Sequence, residues 1–307
     1  MRTEFLDALL TLAERDERVV LLTGDVGFTV LEPFAERFPR RFYNVGVAEQ
    51  NMVGIATGLA EAGWIPFAYS IATFATLRPY EFIRNGPVLH ELPVRIVGVG
   101  GGFDYGPNGI THYALEDVAV VRVQPDLTVL CPADADQARA AVRATAELAG
   151  PVYLRVGKSG DPVPGLDGRF RVGRAEVVRE GGDVGLVATG TIAREAVAAA
   201  ELLAAEGVGA AVAVVSSFNP APVDDLVELL ERLPVVLAVE AHYAAGGLGS
   251  LVAEVIAEHG LDCKLVRCGV REVPRGIAGS QQYLYERYGL SPAALAATAA
   301  RSFASLS

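Results

Sequence analysis

Apolar positions along the chain fall into two alternating patterns. Short β-branched runs, apolar on both faces, occupy residues 18–23, 65–70, 94–99, 127–131 and 152–156. Between them lie Ala- and Leu-rich stretches of helical character at 3–14, 47–61, 77–89 and 134–148. Runs with no polar face, alternating with helices, predict a buried and mostly parallel sheet. The alternation stops at Lys158 and does not resume before Gly168, across a Gly/Pro/Asp stretch that reads as a linker. It restarts with strand-like runs at 184–189, 211–215, 235–239 and 264–268 and helix-like stretches at 192–205, 222–232 and 248–259. Thr191 is placed to cap the first of these helices and Pro222 to open the second. A chain of 307 residues also exceeds one ordinary core. The expected fold class is α/β, with two doubly wound domains in series: 1–160, a linker at 161–170, and 171–307.

Composition supports a well-cored globular chain, with 51% hydrophobic and 21% charged residues. No apolar run reaches the roughly 18 residues of a membrane-spanning helix. The N-terminal segment carries Glu4 and Asp7 and has no apolar signal core, so the expected location is the cytoplasm. The net charge of −11, without a Lys/Arg cluster, excludes an electrostatic nucleic-acid binder. Cys131, Cys263 and Cys268 form no CxxC pair and read as small core residues.

The densest motif runs from Phe42 to Ala60. A turn at Gly46 leads into a helix whose first turn carries Glu49. An acid there complements the helix dipole with no further role. Gly54 and Gly58, however, lie inside the same helix and suggest close approach of a ligand or another backbone. Gly46-Val47-Ala48-Glu49-Gln50-Asn51-Met52 resembles the pyrimidine-domain motif of the transketolase family. The resemblance continues through Phe67–Thr76, Glu81–Asn85, Gly109–Asp117 and Leu130–Asp134, in order, and extends into the second half.

The resemblance implies a thiamine-diphosphate pyrimidine-binding fold followed by a transketolase C-terminal-like domain. It implies that Glu49 hydrogen-bonds N1′ of the cofactor's aminopyrimidine and favours the imino tautomer, which deprotonates C2 of the thiazolium. The cofactor then serves as electron sink. Phe74 matches the aromatic that stacks on that ring; the alternative is a core phenylalanine. Asp25, at the end of the first strand-like run, matches an acid close to the cofactor; the alternative is a turn-capping Asp. His112 matches a histidine facing the reactive carbon, where imidazole suits proton transfer; the alternative is a surface loop histidine. Arg155 matches an arginine that binds substrate phosphate; the alternative is a structural ion pair.

The substrate loop departs from the family. Asn108 stands where the family has an acid that reads substrate, Tyr113 replaces a glutamine, and Gly100 replaces a second histidine. These departures put a standard pentose-phosphate substrate in doubt and suggest a specialised one. Gly247-Leu248-Gly249 imitates a dinucleotide fingerprint but lacks its third glycine. His242, just upstream, is placed to reach the active-site rim or a partner. The family's Gly-Asp-Gly and downstream Asn, which hold Mg²⁺ and diphosphate, are missing. The implied enzyme is therefore the C-terminal section of a split transketolase. Its partner subunit would hold Mg²⁺ and most of the diphosphate in an α2β2 assembly acting on a small-molecule substrate. The expected reaction moves a two-carbon ketol unit from a ketose to an aldehyde-type acceptor. Two alternatives stand beside it. One is the β subunit of a 2-oxo-acid dehydrogenase-like enzyme serving a lipoyl or carrier-protein partner; the other is a non-catalytic assembly subunit.

Overall fold

Five-residue runs with no polar face can only be central strands, and Val19–Thr23 (β1) is buried along its whole length. In a computed structural model describing residues 1–306, the first half runs α1 (Arg2–Arg15), β1, α2 (Glu32–Arg37), β2 (Phe42–Asn44), α3 (Glu49–Glu61) and β3 (Ile65–Ile71). It continues α4 (Ala72–Leu77), α5 (Tyr80–Ile83), β4 (Arg95–Val99), α6 (Asp117–Arg122), β5 (Thr128–Leu130), α7 (Ala135–Thr145) and β6 (Val152–Val156). The second half runs β7 (Ala175–Arg179), β8 (Val184–Ala188), α8 (Ala193–Ala205), β9 (Ala210–Val215), β10 (Ser217–Asn219) and α9 (Val223–Glu231). It closes with β11 (Val235–Tyr243), α10 (Leu248–His259), β12 (Lys264–Val270), α11 (Gln281–Arg287) and α12 (Pro292–Ala304). No helix among the described residues is long and apolar enough to cross a membrane.

The two sheets have strand orders β10-β5-β6-β4-β3-β1-β2 and β12-β11-β8-β9-β7. Pairings are parallel except at β7 and β10. This is the expected α/β class with two doubly wound sheets, refined in one respect. β10 belongs to the second half by sequence yet pairs antiparallel with β5 of the first sheet, Ser217 opposite Leu130. Alternate residues of β1 point to opposite sides: Val20 and Leu22 enter an apolar layer shared by both sheets, while Val19 and Leu21 pack under α1. Removing each such side chain from water contributes about 1.5–3 kcal/mol. Cys131 and Cys263 lie in this shared layer while Cys268 is only partly buried, and burial pushes the Cys131 thiol up to about 12.

Local chemistry explains where the expected elements shift. The helix expected at 77–89 is broken by Pro79 and Pro87 into α5 and a π turn at Arg84–Val88, because proline lacks a donor and clashes with the preceding turn. Thr191 caps nothing; it sits in a 3₁₀ turn, Gly190–Ile192, that precedes α8. Pro222 does occupy the residue before α9. The dinucleotide-like glycines have an internal ligand. Glu240, on β11, accepts the N–H groups of Leu248 and Gly249 at 2.7 and 2.9 Å, and a Cβ at Gly247 would collide with its carboxylate. The N-terminus of α10 thus receives its anion from within the chain, where a dinucleotide would place a pyrophosphate.

His242 is buried between the two halves, away from any rim. Its Nε2 accepts the Ala119 N–H at 3.3 Å, and Nδ1 lies 2.7 Å from the Tyr243 carbonyl. Both contacts together require neutral imidazole with its proton on Nδ1. Burial lowers the His242 pKa from the ordinary 6.5. The unfolded chain therefore binds a proton in mild acid that the folded chain refuses. The resulting stability is complete above pH 6.5 and is lost as pH falls below it towards the folded value. Urea midpoints measured from about pH 8 to about pH 5 should fall, with a shallower fall in His242→Gln.

Candidate active site

The carboxyl ends of β1 and β3 meet the start of α3. Gly24 backs onto Glu49 so closely that a Cβ would lie 3.3 Å from Oε1. The chain turns through a left-handed Asp25 (φ 59°). Asn44 Nδ2 donates to Asp25 Oδ1 at 2.8 Å, while Asn44 Oδ1 accepts the Gly46 N–H at 3.0 Å. Gly46 has φ 73°, a conformation that suits glycine and lets the backbone turn into α3. Glu49 is the first residue of α3 and is 1% exposed. Ser70 Oγ, near the end of β3, donates to Glu49 Oε1 at 2.9 Å, and Arg78 Nη1 donates to Oε2 at 2.7 Å. A buried carboxylate needs such partners on both oxygens.

Phe74, half-buried on α4, carries this arrangement outwards. The Arg78 guanidinium lies 3.9 Å from the Phe74 ring centroid. The His112 ring packs edge-on against Phe74, with centroids 5.2 Å apart. Glu49, Arg78, Phe74 and His112 thus form one continuous string of contacts. His112 Nδ1 lies 3.0 Å from Thr111 Oγ1. Asn108 is exposed in the same loop, ending the 3₁₀ turn Gly106–Asn108. Asp25 is exposed, holds Asn44, and makes no side-chain hydrogen bond to Glu49, Arg78 or His112. Arg78 was not foreseen from sequence, although its spacing of four from Phe74 on a helix was the available signal.

The loop departures have structural causes. Gly100 has φ 80°, and the Tyr105 ring fills the space that a Cβ would need. A histidine side chain at this position would therefore be both strained and blocked. Tyr113 is buried, and its Oη lies 2.9 Å from the carbonyl oxygens of both Gly106 and Ile277. It ties the loop to the second half and does not face His112's neighbours on the Phe74 side.

Arg155 sits in a buried ion pair, the alternative to a phosphate contact. Its side chain is 6% exposed, with Nε 2.9 Å from Asp117 Oδ2. Its Nη2 donates to Asp117 Oδ1 at 3.1 Å and to the Ala114 and Ala241 carbonyls at 2.8 and 3.2 Å. Asp117 also accepts from Tyr153 Oη at 2.6 Å. The Nε and Nη2 edge of the guanidinium is committed to an internal network joining β6, α6 and β11.

Comparison with known proteins places the fold in a family. The transketolase pyrimidine-binding domain family matches residues 1–160, just over half the chain. The chain belongs to the transketolase family. The transketolase C-terminal domain family matches residues 173–295. Among curated transketolase relatives, the 6-deoxy-6-sulfo-D-fructose transketolase subunit SqwH of Clostridium sp. is 37% identical, covering 95% of this chain and 90% of that protein. One of the subunits of the apulose-4-phosphate transketolase of Phocaeicola vulgatus is 33% identical, covering 97% and 96%. A solved split-gene transketolase, described as an inactive β4 tetramer, superposes with a TM-score of 0.88 at 40% identity, covering 99% of this chain and 97% of that one.

Proposed function

We propose that this chain is the β, or C-terminal, subunit of a split thiamine-diphosphate-dependent transketolase that moves a two-carbon ketol unit from a ketose donor to an aldehyde-type acceptor. The observation that carries the reading is the buried Glu49 carboxylate beside an aromatic face, Phe74, which itself touches His112. A carboxyl edge next to a ring face is what a planar aminopyrimidine needs, so the residues present fit that half of the cofactor. Thiamine diphosphate, when bound, supplies the electron sink for breaking and making the carbon–carbon bond.

This chain's own part follows from its residues. With the ring bound, Glu49 would share a proton with N1′, and Ser70 fixes the orientation of its carboxyl. Phe74 sets the plane of the ring, and Asp25 flanks the pocket from the end of β1. His112, reached by solvent on one side, moves protons at the substrate. Asn108 replaces an acid in reading donor hydroxyls. Arg155 holds the floor of the loop through Ala114, and the substrate's anionic group is not assigned to it.

Mg²⁺ and the diphosphate are assigned to a partner subunit, in an α2β2 assembly. Support comes from relatives that are themselves subunits and from the split-gene homologue whose β4 tetramer is described as inactive. Within this chain, the open face of α3 supports the same reading. The expected close approach at Gly54 and Gly58 is not met inside the chain: both are exposed, a Cβ at Gly54 would meet only the Phe82 ring at 3.8 Å, and no atom lies within 4 Å of a Cβ at Gly58. A groove of about 360 Å³ is lined by Gly54, Thr57, Phe82 and Asn85. Phe28, Val47 and Leu89 are also exposed apolar residues of this half.

The substrates in the relatives' names, 6-deoxy-6-sulfo-D-fructose and apulose 4-phosphate, support a specialised ketose. Reconstitution with a diphosphate-binding subunit should give consumption of ketose only when both chains, Mg²⁺ and thiamine diphosphate are present. Release of CO₂ from a 2-oxo acid without ketose turnover would instead establish the dehydrogenase-like alternative. Turnover by the isolated chain would remove the partner from the scheme.

A further inference from the structure

Arg78 occupies both surfaces that the proposed function assigns to the aminopyrimidine. Its Nη1 lies 2.7 Å from Glu49 Oε2, and its guanidinium carbon lies 3.9 Å from the centre of the Phe74 ring. A guanidinium is planar, delocalised and edged with N–H donors. It therefore meets the same two demands as an aminopyrimidine: a flat face for the aromatic and an N–H edge for the carboxylate. Two flat groups cannot share that one layer against Phe74, so cofactor and Arg78 exclude each other.

We propose that Arg78 is a displaceable place-holder for the aminopyrimidine, seated on Glu49 and Phe74 while the cofactor is absent and expelled when it binds. This rests on the assignment of Glu49 and Phe74 to the aminopyrimidine. Three features suit the role. Among the described residues, Glu49 is the only hydrogen-bonding partner of the Arg78 side chain. The side chain is 39% exposed, so a path to solvent is open. Arg78 also follows directly on the short helix α4, just before Pro79, where a long side chain can swing without unwinding a helix. The place-holder has a physical purpose: without it, Glu49 would be a buried carboxylate with no counter-charge, a costly state for the cofactor-free chain. It also makes cofactor binding an exchange, in which the part-exposed Arg–Glu pair is given up for the ring.

The test is calorimetric titration of thiamine diphosphate, with Mg²⁺, into the complex of this chain with its diphosphate-binding subunit. Arg78→Ala removes the competitor and should bind the cofactor about three- to tenfold more tightly than wild type, the worth of one part-exposed ion pair and one cation–π contact. The isolated Arg78→Ala chain should melt earlier than the wild-type chain, and this deficit should vanish in the cofactor-loaded complex. Arg78→Lys keeps the charge but loses the flat face, and should lie between wild type and alanine; it carries the test if the alanine chain does not fold. Equal or weaker binding by the variants, with wild-type binding intact, overturns the place-holder alone. No binding by the wild-type complex overturns the assignment of the aminopyrimidine site as well.

Discussion

Glu49→Ala, assembled with the diphosphate-binding subunit, is expected to lose about a hundredfold to ten-thousandfold in turnover, the range for removing a positioned proton-transfer group. Both its place and its chemistry require this. Glu49 is 1% exposed at the first turn of α3, and Ser70 fixes one oxygen. The other oxygen is held by a side chain that can leave. Alanine removes the carboxyl that Arg78 links to Phe74. Glu49→Gln keeps the shape and a hydrogen bond from Ser70 but cannot hold or release the shared proton, so it should lose nearly as much turnover. Cofactor binding by Glu49→Gln should suffer far less than turnover. Steady-state rates and cofactor titration on the same preparations separate the two effects. Near-normal turnover in Glu49→Ala would sink the assignment.

A second large effect is expected far from the chemistry. Asp117→Ala should destabilise the chain by about 3–5 kcal/mol, because it strands the buried Arg155 guanidinium without a counter-charge. It also removes the acceptor of the Tyr153 hydroxyl, which lies 2.6 Å from Oδ2. Urea unfolding with an unchanged slope and a lowered midpoint would report this loss. Arg155→Met provides the complement. Replacing the cation by an apolar side chain of similar length leaves Asp117 buried with Tyr153 as donor but no counter-charge, so a destabilisation of the same order is expected from the opposite side of the pair. If Arg155→Met instead folds normally and raises KM for a phosphorylated substrate strongly, the substrate-binding role would return.

Much of this architecture was legible because sheet interiors dictate sequence locally. β1, β3, β4, β6 and β8 are apolar on both faces and were placed nearly to the residue. β2, β7 and β10 were not, since their burial is partial or depends on a partner strand that no local pattern announces. Glu49, Phe74 and His112 stood out through motif order, and the structure links them in one string of contacts through Arg78. Arg155 illustrates the limit. An arginine on a central strand looks the same in sequence whether it serves a ligand or an internal acid, and only the fold reveals Asp117, 38 positions away, as its partner. Arg78 shows the converse: it follows no motif, and its meaning came from what it covers.

The short strand β10 sets the terms on which this protein can be taken apart. Because it pairs with β5, the first sheet is finished by chain that arrives only after β9 has been laid down. A cut in the Gly/Pro-rich linker would therefore not release two self-sufficient modules. The N-terminal piece would carry a bare strand edge at β5, the kind of surface that recruits other chains into mispaired sheets. During synthesis the same edge stays open until Ser217 has emerged, so the first half waits on the second for its last strand. Fusion, truncation and domain-exchange designs built on this scaffold should keep everything from Met1 through β10 on one polypeptide.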